Sequence, residues 1–242
     1  MGLSTQKFTQ SMKHCRESQQ VLKRLFDVCF SIIGLIIFTP LFALIALLIK
    51  IEDGGPVFYR GIRIGKDGKP FRILKFRTMI PEAEKVGVWI TPNDDPRITK
   101  IGKILRKYKL DELPQLINVF KGEMSFVGPR PEVPYYVEKF SEEEKAILSV
   151  RPGITDWASL WDIDEGSLLA GSTDPNKFYE ECILPIKKQL QLKYVKTHSF
   201  LTDIRLIILT ILALILGKRI LISYEVKMIT HAKPYTTEEA KK

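Results

Sequence analysis

The sequence predicts an α+β fold, in which a mostly helical cytoplasmic domain with a small β-hairpin follows a re-entrant membrane helix broken at Pro40. Three observations support this prediction. An uncharged apolar segment of 22 residues runs from Val28 to Ile49, with Thr39-Pro40 near its centre. Two runs of β-type residues flank an Asp-Gly pair, which is a strong hairpin signal. Several further segments, among them 98–109, 141–148 and 174–196, have patterns typical of helices.

These patterns divide the chain into four parts. We expect an N-terminal arm, a re-entrant helix hairpin, a main domain that carries interfacial helices and the candidate catalytic residues, and a polar C-terminal tail. Their predicted bounds are 1–20, 21–52, 53–222 and 223–242.

The apolar segment is long enough to cross a bilayer, because a straight helix of its length would reach roughly 33 Å. Pro40 removes a helix hydrogen bond and predicts a kink there. Lys23 and Arg24 precede the segment, and Lys50 and Arg60 follow it. Basic flanks mark the cytoplasmic side, so basic residues at both ends favour a re-entrant hairpin over a spanning helix. A buried helix of a soluble core is less favoured, because such helices rarely run so far without a charge.

After the membrane segment, the runs Val57–Ile64 and Pro70–Phe76 predict two strands around a turn at 66–69. Residues 81–97, which are rich in Pro, Asp and Asn, predict a loop. The pattern at 98–109 predicts a basic amphipathic helix that is either solvated or laid against the membrane. A following helix is predicted from Asp111, as its N-cap, to Lys121.

A second apolar stretch, Phe200–Leu216, has charges only near its start, at Asp203 and Arg205. Its uncharged part is too short to span a bilayer, so the stretch predicts a core or interfacial helix.

The charge of the chain points to an anionic partner. The net charge is +9 and the pI is near 9.3. With a membrane segment present, anionic lipids and phosphorylated substrates are expected first. A nucleic-acid partner is not expected, since the sequence contains no recognised module for one. The three cysteines and three histidines are scattered, which argues against a disulfide framework or a zinc site.

The residues best suited to chemistry lie between Leu105 and Glu132. Asp111 and Glu112 are adjacent carboxylates, with Arg106 before them and Arg130 after them. An ionised aspartate can attack phosphorus, and its neighbour can bind a metal or remove a proton. Arginine side chains match phosphate oxygens. The alternative is structural, because acids at a helix start also satisfy free amides and offset the helix dipole.

Ordered blocks across residues 20–215 resemble the monotopic polyprenol-phosphate phosphoglycosyl transferases, the bacterial sugar transferases that begin glycan assembly. The resemblance begins at Lys23-Arg24-Leu25-Phe26-Asp27 and includes the Leu110-Asp111-Glu112-Leu113-Pro114-Gln115 block. The other blocks are Gly54–Arg60, Lys75–Met79, Met124–Glu132, Arg151–Thr155, Tyr194–Lys196 and Ser199–Asp203.

The resemblance implies a magnesium-dependent transfer of a sugar-1-phosphate from a UDP-sugar to a polyprenol phosphate, with release of UMP. It implies that Asp111 is the nucleophile and forms a covalent phosphosugar intermediate. It also implies that Glu112 either holds Mg²⁺ together with Asp111 or deprotonates the lipid phosphate. It places Lys75, Arg77, Arg106, Arg130 and Arg151 among the substrate- or phosphate-binding residues. The implied location is the cytoplasmic face of the bacterial inner membrane, in contact with membrane lipids, and a homodimer is compatible with it.

The sequence departs from the family pattern in two places. Thr39-Pro40 stands where the family often has Ser-Pro. After Thr155 the chain reads Asp156-Trp157-Ala158-Ser159 in place of the usual Gly-Trp-Ala-Gln, so the sugar and the roles of residues 156–193 stay open. Two alternatives also remain: a related enzyme that moves another phosphorylated group, and a non-catalytic adaptor that binds anionic lipid.

Overall fold

A computed structural model of the chain describes residues 2–83, 91–162, 166, 169 and 174–216, with the backbone alone for 2–17. The described part is mostly helical, as predicted. Its helices are α1 (Gly2–Asp53), α2 (Lys100–Lys107), α3 (Gln115–Lys121), α4 (Pro134–Val137), α5 (Trp157–Trp161), α6 (Pro175–Phe178), α7 (Leu184–Thr197) and α8 (Phe200–Leu216). Short 3-10 turns cover Lys66–Gly68, Leu110–Glu112 and Glu144–Ser149, and a π-turn covers Tyr179–Ile183. The predicted tail at 223–242 and part of the predicted loop at 81–97 lie outside the described residues.

Helix α1 contains both the predicted arm and the predicted membrane segment, with Pro40 inside it. The Thr39 hydroxyl donates to the Leu35 carbonyl oxygen at 2.7 Å. Such a bond to the residue four positions back tends to bend a helix. This bond is one residue away from the Ile36 carbonyl, to which Pro40 cannot donate a helix hydrogen bond because proline has no backbone N–H. The re-entrant turn itself stays a prediction.

The predicted β-hairpin is confirmed, as two short antiparallel pairs. Strands β1 (Phe58–Tyr59) and β4 (Lys75–Phe76) pair, and β2 (Ile62–Ile64) pairs with β3 (Pro70–Arg72). Asp67 and Gly68 both have positive φ at the turn between them, as expected for an Asp-Gly hairpin turn. A parallel pair, β5 (Ser125–Val127) with β6 (Gly153–Thr155), was not predicted.

The two apolar helices both pack on the domain. Residues 24–34 of α1 pack along α3, where Gly34 lies against Leu116. The C-terminal part of α1 covers β4 and α2 through a cluster of buried residues, Ile45, Ile49, Phe76 and Leu105. Helix α8 packs on α5, α7 and β5 through another cluster, which includes Val127, Trp157, Leu190, Tyr194 and Leu206.

Polar contacts attach α1 to the domain near its middle and at its C-terminal end. In the middle, Lys23 pairs with Asp203 of α8, and Asp27 accepts from the Ser125 hydroxyl and the Phe126 amide. Near the end, Glu52 accepts from the Lys100 amide at the start of α2. The part of the helix from Lys23 to Glu52 therefore lies along the domain.

The outer faces of α1 and α8 are apolar and exposed. One helix, Ser18–Asp53, is long and apolar enough to cross a membrane, and only 11% of its most apolar window is buried in the protein. The exposed apolar side chains include Val21, Leu22, Leu25, Ile36, Ile37, Leu47 and Ile51 on α1, and Leu201, Ile208, Ile211, Leu214 and Ile215 on α8. An apolar surface of this extent marks a membrane or partner contact.

Candidate active site

Asp111 is presented by a tight turn between α2 and α3. Helix α2 ends at Lys107, and Lys109 then adopts the left-handed conformation, with φ 55° and ψ 22°. Residues other than glycine rarely adopt it, and here it turns the chain into the 3-10 turn Leu110–Glu112. Pro114 caps the start of α3. The prediction that Asp111 is the N-cap of this helix is therefore wrong, because Asp111 lies inside the preceding turn.

Glu112 is held by two cations. Lys75 Nζ donates to Glu112 Oε1 at 2.8 Å, and the Arg130 guanidinium bonds both carboxylate oxygens at 2.5 and 3.2 Å. Burial alone would raise the pKa of Glu112, but Arg130 and Lys75 lower it well below its ordinary value. Glu112 is therefore ionised, and both of its carboxylate oxygens are hydrogen-bonded. These bonds orient Lys75 and Arg130.

Asp111 is buried close to Lys75 and Arg106, and one of its carboxylate oxygens is unused. Its Oδ1 has no hydrogen-bond partner among the described residues, although the side chain is only 7% exposed. Burial raises the pKa of Asp111, Lys75 and Arg106 oppose the rise, and Glu112 adds to it. Buried carboxylate oxygens are normally bonded. An unused one in a cationic setting is suited to attack on an electrophile or to ligation of a metal.

Lys75 and Arg106 supply positive charge on the Asp111 side. Lys75 is fixed by strand β4, which pairs with β1. Arg106 is half-buried on α2, and its Nε donates to the Thr78 hydroxyl at 3.1 Å. Burial lowers the pKa of both groups, and the carboxylates of Asp111 and Glu112 oppose that shift. Asp95, which also attracts Arg106, was not singled out from the sequence.

The backbone of Arg130 is clamped by two buried side chains that the sequence did not single out. Asp156 Oδ2 accepts from the Arg130 amide, and Gln191 Nε2 donates to the Arg130 carbonyl, both at 3.3 Å. Asp156 is fully buried and also caps α5 through the Ser159 amide. This clamp holds the loop after β5 so that the Arg130 side chain reaches Glu112. A position where the sequence departs from the family pattern thus has a structural role.

Two of the predicted phosphate-binding residues lie outside this cluster. The Arg77 guanidinium pairs with Asp53 and donates to the backbone carbonyls of Pro56 and Met79. Arg151 Nε donates to the Gly122 carbonyl at 3.0 Å. The structure therefore brings Lys75, Arg106, Arg130, Asp111 and Glu112 together, whereas Arg77 joins the end of α1 to the hairpin and Arg151 joins β6 to the end of α3.

Comparison with known proteins decides the family. Residues 18–217 match the family model described as bacterial sugar transferase. The chain belongs to this family. The family assignment made from the sequence is confirmed, and with it the prediction of a transferase enzyme. Membership favours an enzyme over a lipid-binding adaptor and agrees with membrane association.

Three of its relatives are 36–37% identical to this sugar transferase over the residues that align. It is 37% identical to the exopolysaccharide production protein ExoY of Sinorhizobium fredii, over 82% of this chain and 87% of that protein. It is 36% identical to the UDP-N-acetylgalactosamine-undecaprenyl-phosphate N-acetylgalactosaminephosphotransferase of Aeromonas hydrophila, over 81% of this chain and 44% of that protein. It is 37% identical to the UDP-glucose:undecaprenyl-phosphate glucose-1-phosphate transferase of Escherichia coli, over 79% of this chain and 40% of that protein.

Gly102→Ala should damage the site through the backbone. A Cβ at Gly102 would lie 2.0 Å from the Thr78 carbonyl oxygen, so the chain carrying Thr78 would have to move away from Arg106. We expect a loss of stability of about 1–3 kcal/mol, as for an overpacked core, and slower turnover. Thermal unfolding and transfer assays would measure both. Gly34→Ala is the matched control, because its Cβ would meet only a movable methyl group of Leu116. Equal effects of the two variants would contradict this account.

Proposed function

We propose that this enzyme transfers a sugar-1-phosphate from a UDP-sugar to a membrane polyprenol phosphate through a covalent aspartyl-phosphosugar intermediate at Asp111. The observation that carries the proposal is the unused, buried Oδ1 of Asp111 among Lys75, Arg106 and the Glu112-bound Arg130. The names of two relatives specify a UDP-sugar as donor and undecaprenyl phosphate as acceptor. The reaction would be the first membrane step of a bacterial glycan.

The proposed chemistry has two displacements at one phosphorus. Asp111 Oδ1 attacks the donor phosphorus that bears the sugar, a P–O bond forms, and the bond to the bridging oxygen breaks, which releases UMP. A phosphate oxygen of the polyprenol phosphate then attacks the same phosphorus. The aspartyl P–O bond breaks, Asp111 recovers its carboxylate, and a polyprenyl diphosphate sugar is formed. Covalent catalysis of this kind divides one difficult transfer into two easier steps.

The surrounding residues have distinct parts in this proposal. Lys75 and Arg106 flank Asp111 and would neutralise the charge that gathers on the transferred phosphoryl oxygens. Arg130 would do the same from the Glu112 side, where its guanidinium is already oriented. Arg77 and Arg151 are assigned no contact with substrate.

The residues present fit a magnesium ion held mainly by substrate. Mg²⁺ is usually bound by one or two carboxylates together with phosphate oxygens and water. The unused Asp111 Oδ1 could be one such ligand. Glu112 would be a second only if Lys75 or Arg130 released one of its oxygens. Among the described residues there is no cluster of three or more metal-binding side chains. When bound, the ion would supply charge neutralisation on the donor diphosphate.

We also propose that the enzyme sits on the cytoplasmic face of the inner membrane without crossing it. Lys23 and Asp53 are both bonded to the same domain, yet a straight helix between them would measure about 45 Å. A helix that crossed the bilayer would carry one of these ends to the far side. The exposed apolar faces of α1 and α8 would instead enter one leaflet, which agrees with the predicted re-entrant arrangement. UDP-sugars and the head group of the lipid would then meet at the bilayer surface.

Intact-protein mass spectrometry tests the proposed function. The purified enzyme in nanodiscs is mixed with Mg²⁺ and a panel of UDP-sugars that includes UDP-glucose and UDP-N-acetylgalactosamine, without acceptor. We expect a mass gain of one phosphosugar with the correct donor, and its loss when polyprenol phosphate is added. UMP release only after the acceptor is added, with no adduct at any time, would overturn the covalent step. Absence of both adduct and UMP across the panel would overturn the choice of donor.

A further inference from the structure

Gln115, the first residue of α3, carries a buried amide that nothing in the described protein satisfies. Its side chain is 0% exposed, and neither Nε2 nor Oε1 has a hydrogen-bond partner among the described residues. Burying an amide without a hydrogen bond is unfavourable, whereas burying an apolar side chain of the same shape is favourable. Such a group in a native protein therefore requires an explanation, such as a bound water, an ion or a substrate that satisfies it.

Gln115 follows Asp111 by four residues along a tightly wound segment. From the 3-10 turn Leu110–Glu112 through Leu113 and Pro114 into α3, the backbone is right-handed and helical, with hydrogen bonds to the third residue back. A 3-10 segment rises roughly 2 Å per residue, so the two residues are only about 8 Å apart along its axis. Asp111 Oδ1 is also unpartnered among the described residues. The two unsatisfied polar groups are therefore close enough for one bound phosphosugar to contact both.

Asn118, another buried amide on α3, has a structural role and is fully hydrogen-bonded within the protein. Asn118 is also 0% exposed and lies on α3. Its Oδ1 accepts from the Leu74 amide at 2.9 Å, and its Nδ2 donates to the Arg72 carbonyl at 2.8 Å and to Glu123 at 2.7 Å. Gln115 has none of these bonds, so burial on α3 does not account for its amide.

We infer that Gln115 binds the phosphosugar group held at Asp111, an inference that rests on the proposed function. Its amide N–H groups donate to an oxygen of the transferred phosphoryl group, and its carbonyl oxygen accepts from a hydroxyl of the sugar. A neutral amide suits this place, because Lys75 and Arg106 already supply the positive charge. Its burial restricts it to a group attached at, or bound beside, Asp111.

The test compares Gln115→Met with Asn118→Leu in the full-length enzyme. Methionine is close in length and volume to glutamine and removes only the amide. We expect Gln115→Met to leave the Tm of the ligand-free enzyme unchanged or higher, and Asn118→Leu to lower it, because only Asn118 has bonds to lose. Formation of the phosphosugar adduct should slow by about 10- to 100-fold in Gln115→Met, the range expected for a hydrogen bond to a charged group.

Ligand-induced stabilisation separates substrate contact from a purely structural role. A ligand that binds the folded state raises the Tm. UMP, which lacks the phosphosugar, should raise the Tm of wild type and Gln115→Met equally, whereas the UDP-sugar should raise it less in the variant.

Two results would overturn the inference. If the Tm of the ligand-free Gln115→Met enzyme falls as far as that of Asn118→Leu, the amide is satisfied within the protein, for example by buried water. If the adduct forms at the wild-type rate, Gln115 does not contact the phosphosugar. Failure of the wild-type enzyme to form any adduct would instead count against the proposed function, so the two failures are distinguishable.

Discussion

Asp111→Asn should abolish the phosphosugar adduct and lower transfer by at least about 10³-fold, as expected when a nucleophile is removed. An amide oxygen is a poor nucleophile toward phosphorus, and the neutral side chain also loses its attraction for Lys75 and Arg106. The fold should survive. Burial raises the pKa of Asp111, which means that the ionised carboxylate is unfavourable in the folded state. We therefore expect the Tm of the variant to be equal to or above that of wild type.

Adduct mass, transfer rate and Tm would be measured together, with Asp67→Asn as the control. Asp67 is exposed at the hairpin turn and has a φ of 57°, a conformation that asparagine also adopts readily. The same chemical change there should alter neither activity nor stability. Transfer by Asp111→Asn at more than a tenth of the wild-type rate would show that another group attacks the donor.

Local signals in the sequence were enough for much of the fold. The Asp-Gly pair between β-type runs predicted the hairpin, helical spacing predicted α2, and the second apolar stretch predicted α8. The parallel pair of β5 and β6 was missed because each strand is three residues long and the partners are distant in sequence. Gly128 and Gly153 allow this pairing, since a Cβ on Gly153 would lie 2.1 Å from the Gly128 amide nitrogen. Pairing of this kind has no local periodicity.

The central residues of the candidate site were predicted from the sequence, whereas the residues that surround and position them were not. Asp111, Glu112, Lys75, Arg106 and Arg130 do come together. Arg77 was grouped with them because residue type alone does not distinguish an arginine that bonds backbone carbonyls from one that binds phosphate. The roles of Asp156 and Gln115 depend on burial and on which hydrogen bonds are made. A sequence does not contain that information, although the four-residue spacing from Asp111 to Gln115 was available.

The attachment of α1 to the domain depends on an ion pair between half-buried Lys23 and buried Asp203, whose disruption should give the largest stability change we expect. Lys23 Nζ contacts Asp203, and also the Val127 carbonyl at 2.8 Å and the Tyr194 hydroxyl at 3.3 Å. Asp203 is only 4% exposed and accepts from the Tyr194 hydroxyl at 2.7 Å. Burial and the neighbouring Asp203 raise the pKa of Tyr194, so its hydroxyl remains a donor.

Lys23→Met should therefore lower the free energy of unfolding by about 3–5 kcal/mol, because it leaves the Asp203 carboxylate buried without its cation. Chemical denaturation in detergent micelles would measure the change. Lys23→Met combined with Asp203→Asn should recover much of the loss, since the unpaired charge is then absent. Arg24→Met is a matched control. Arg24 bonds the Val119 and Phe120 carbonyls at the surface, so its loss should lower stability by only about 1 kcal/mol.

The same substitution should also affect catalysis at a distance. Lys23 holds the carbonyl of Val127, the last residue of β5, and the chain continues from there through Gly128 and Pro129 to Arg130. Loss of this bond would loosen the segment that aims Arg130 at Glu112, so the folded fraction of Lys23→Met should form the adduct more slowly than Arg24→Met. If the two variants are equally stable and equally active, the ion pair does not couple the membrane helix to the active site.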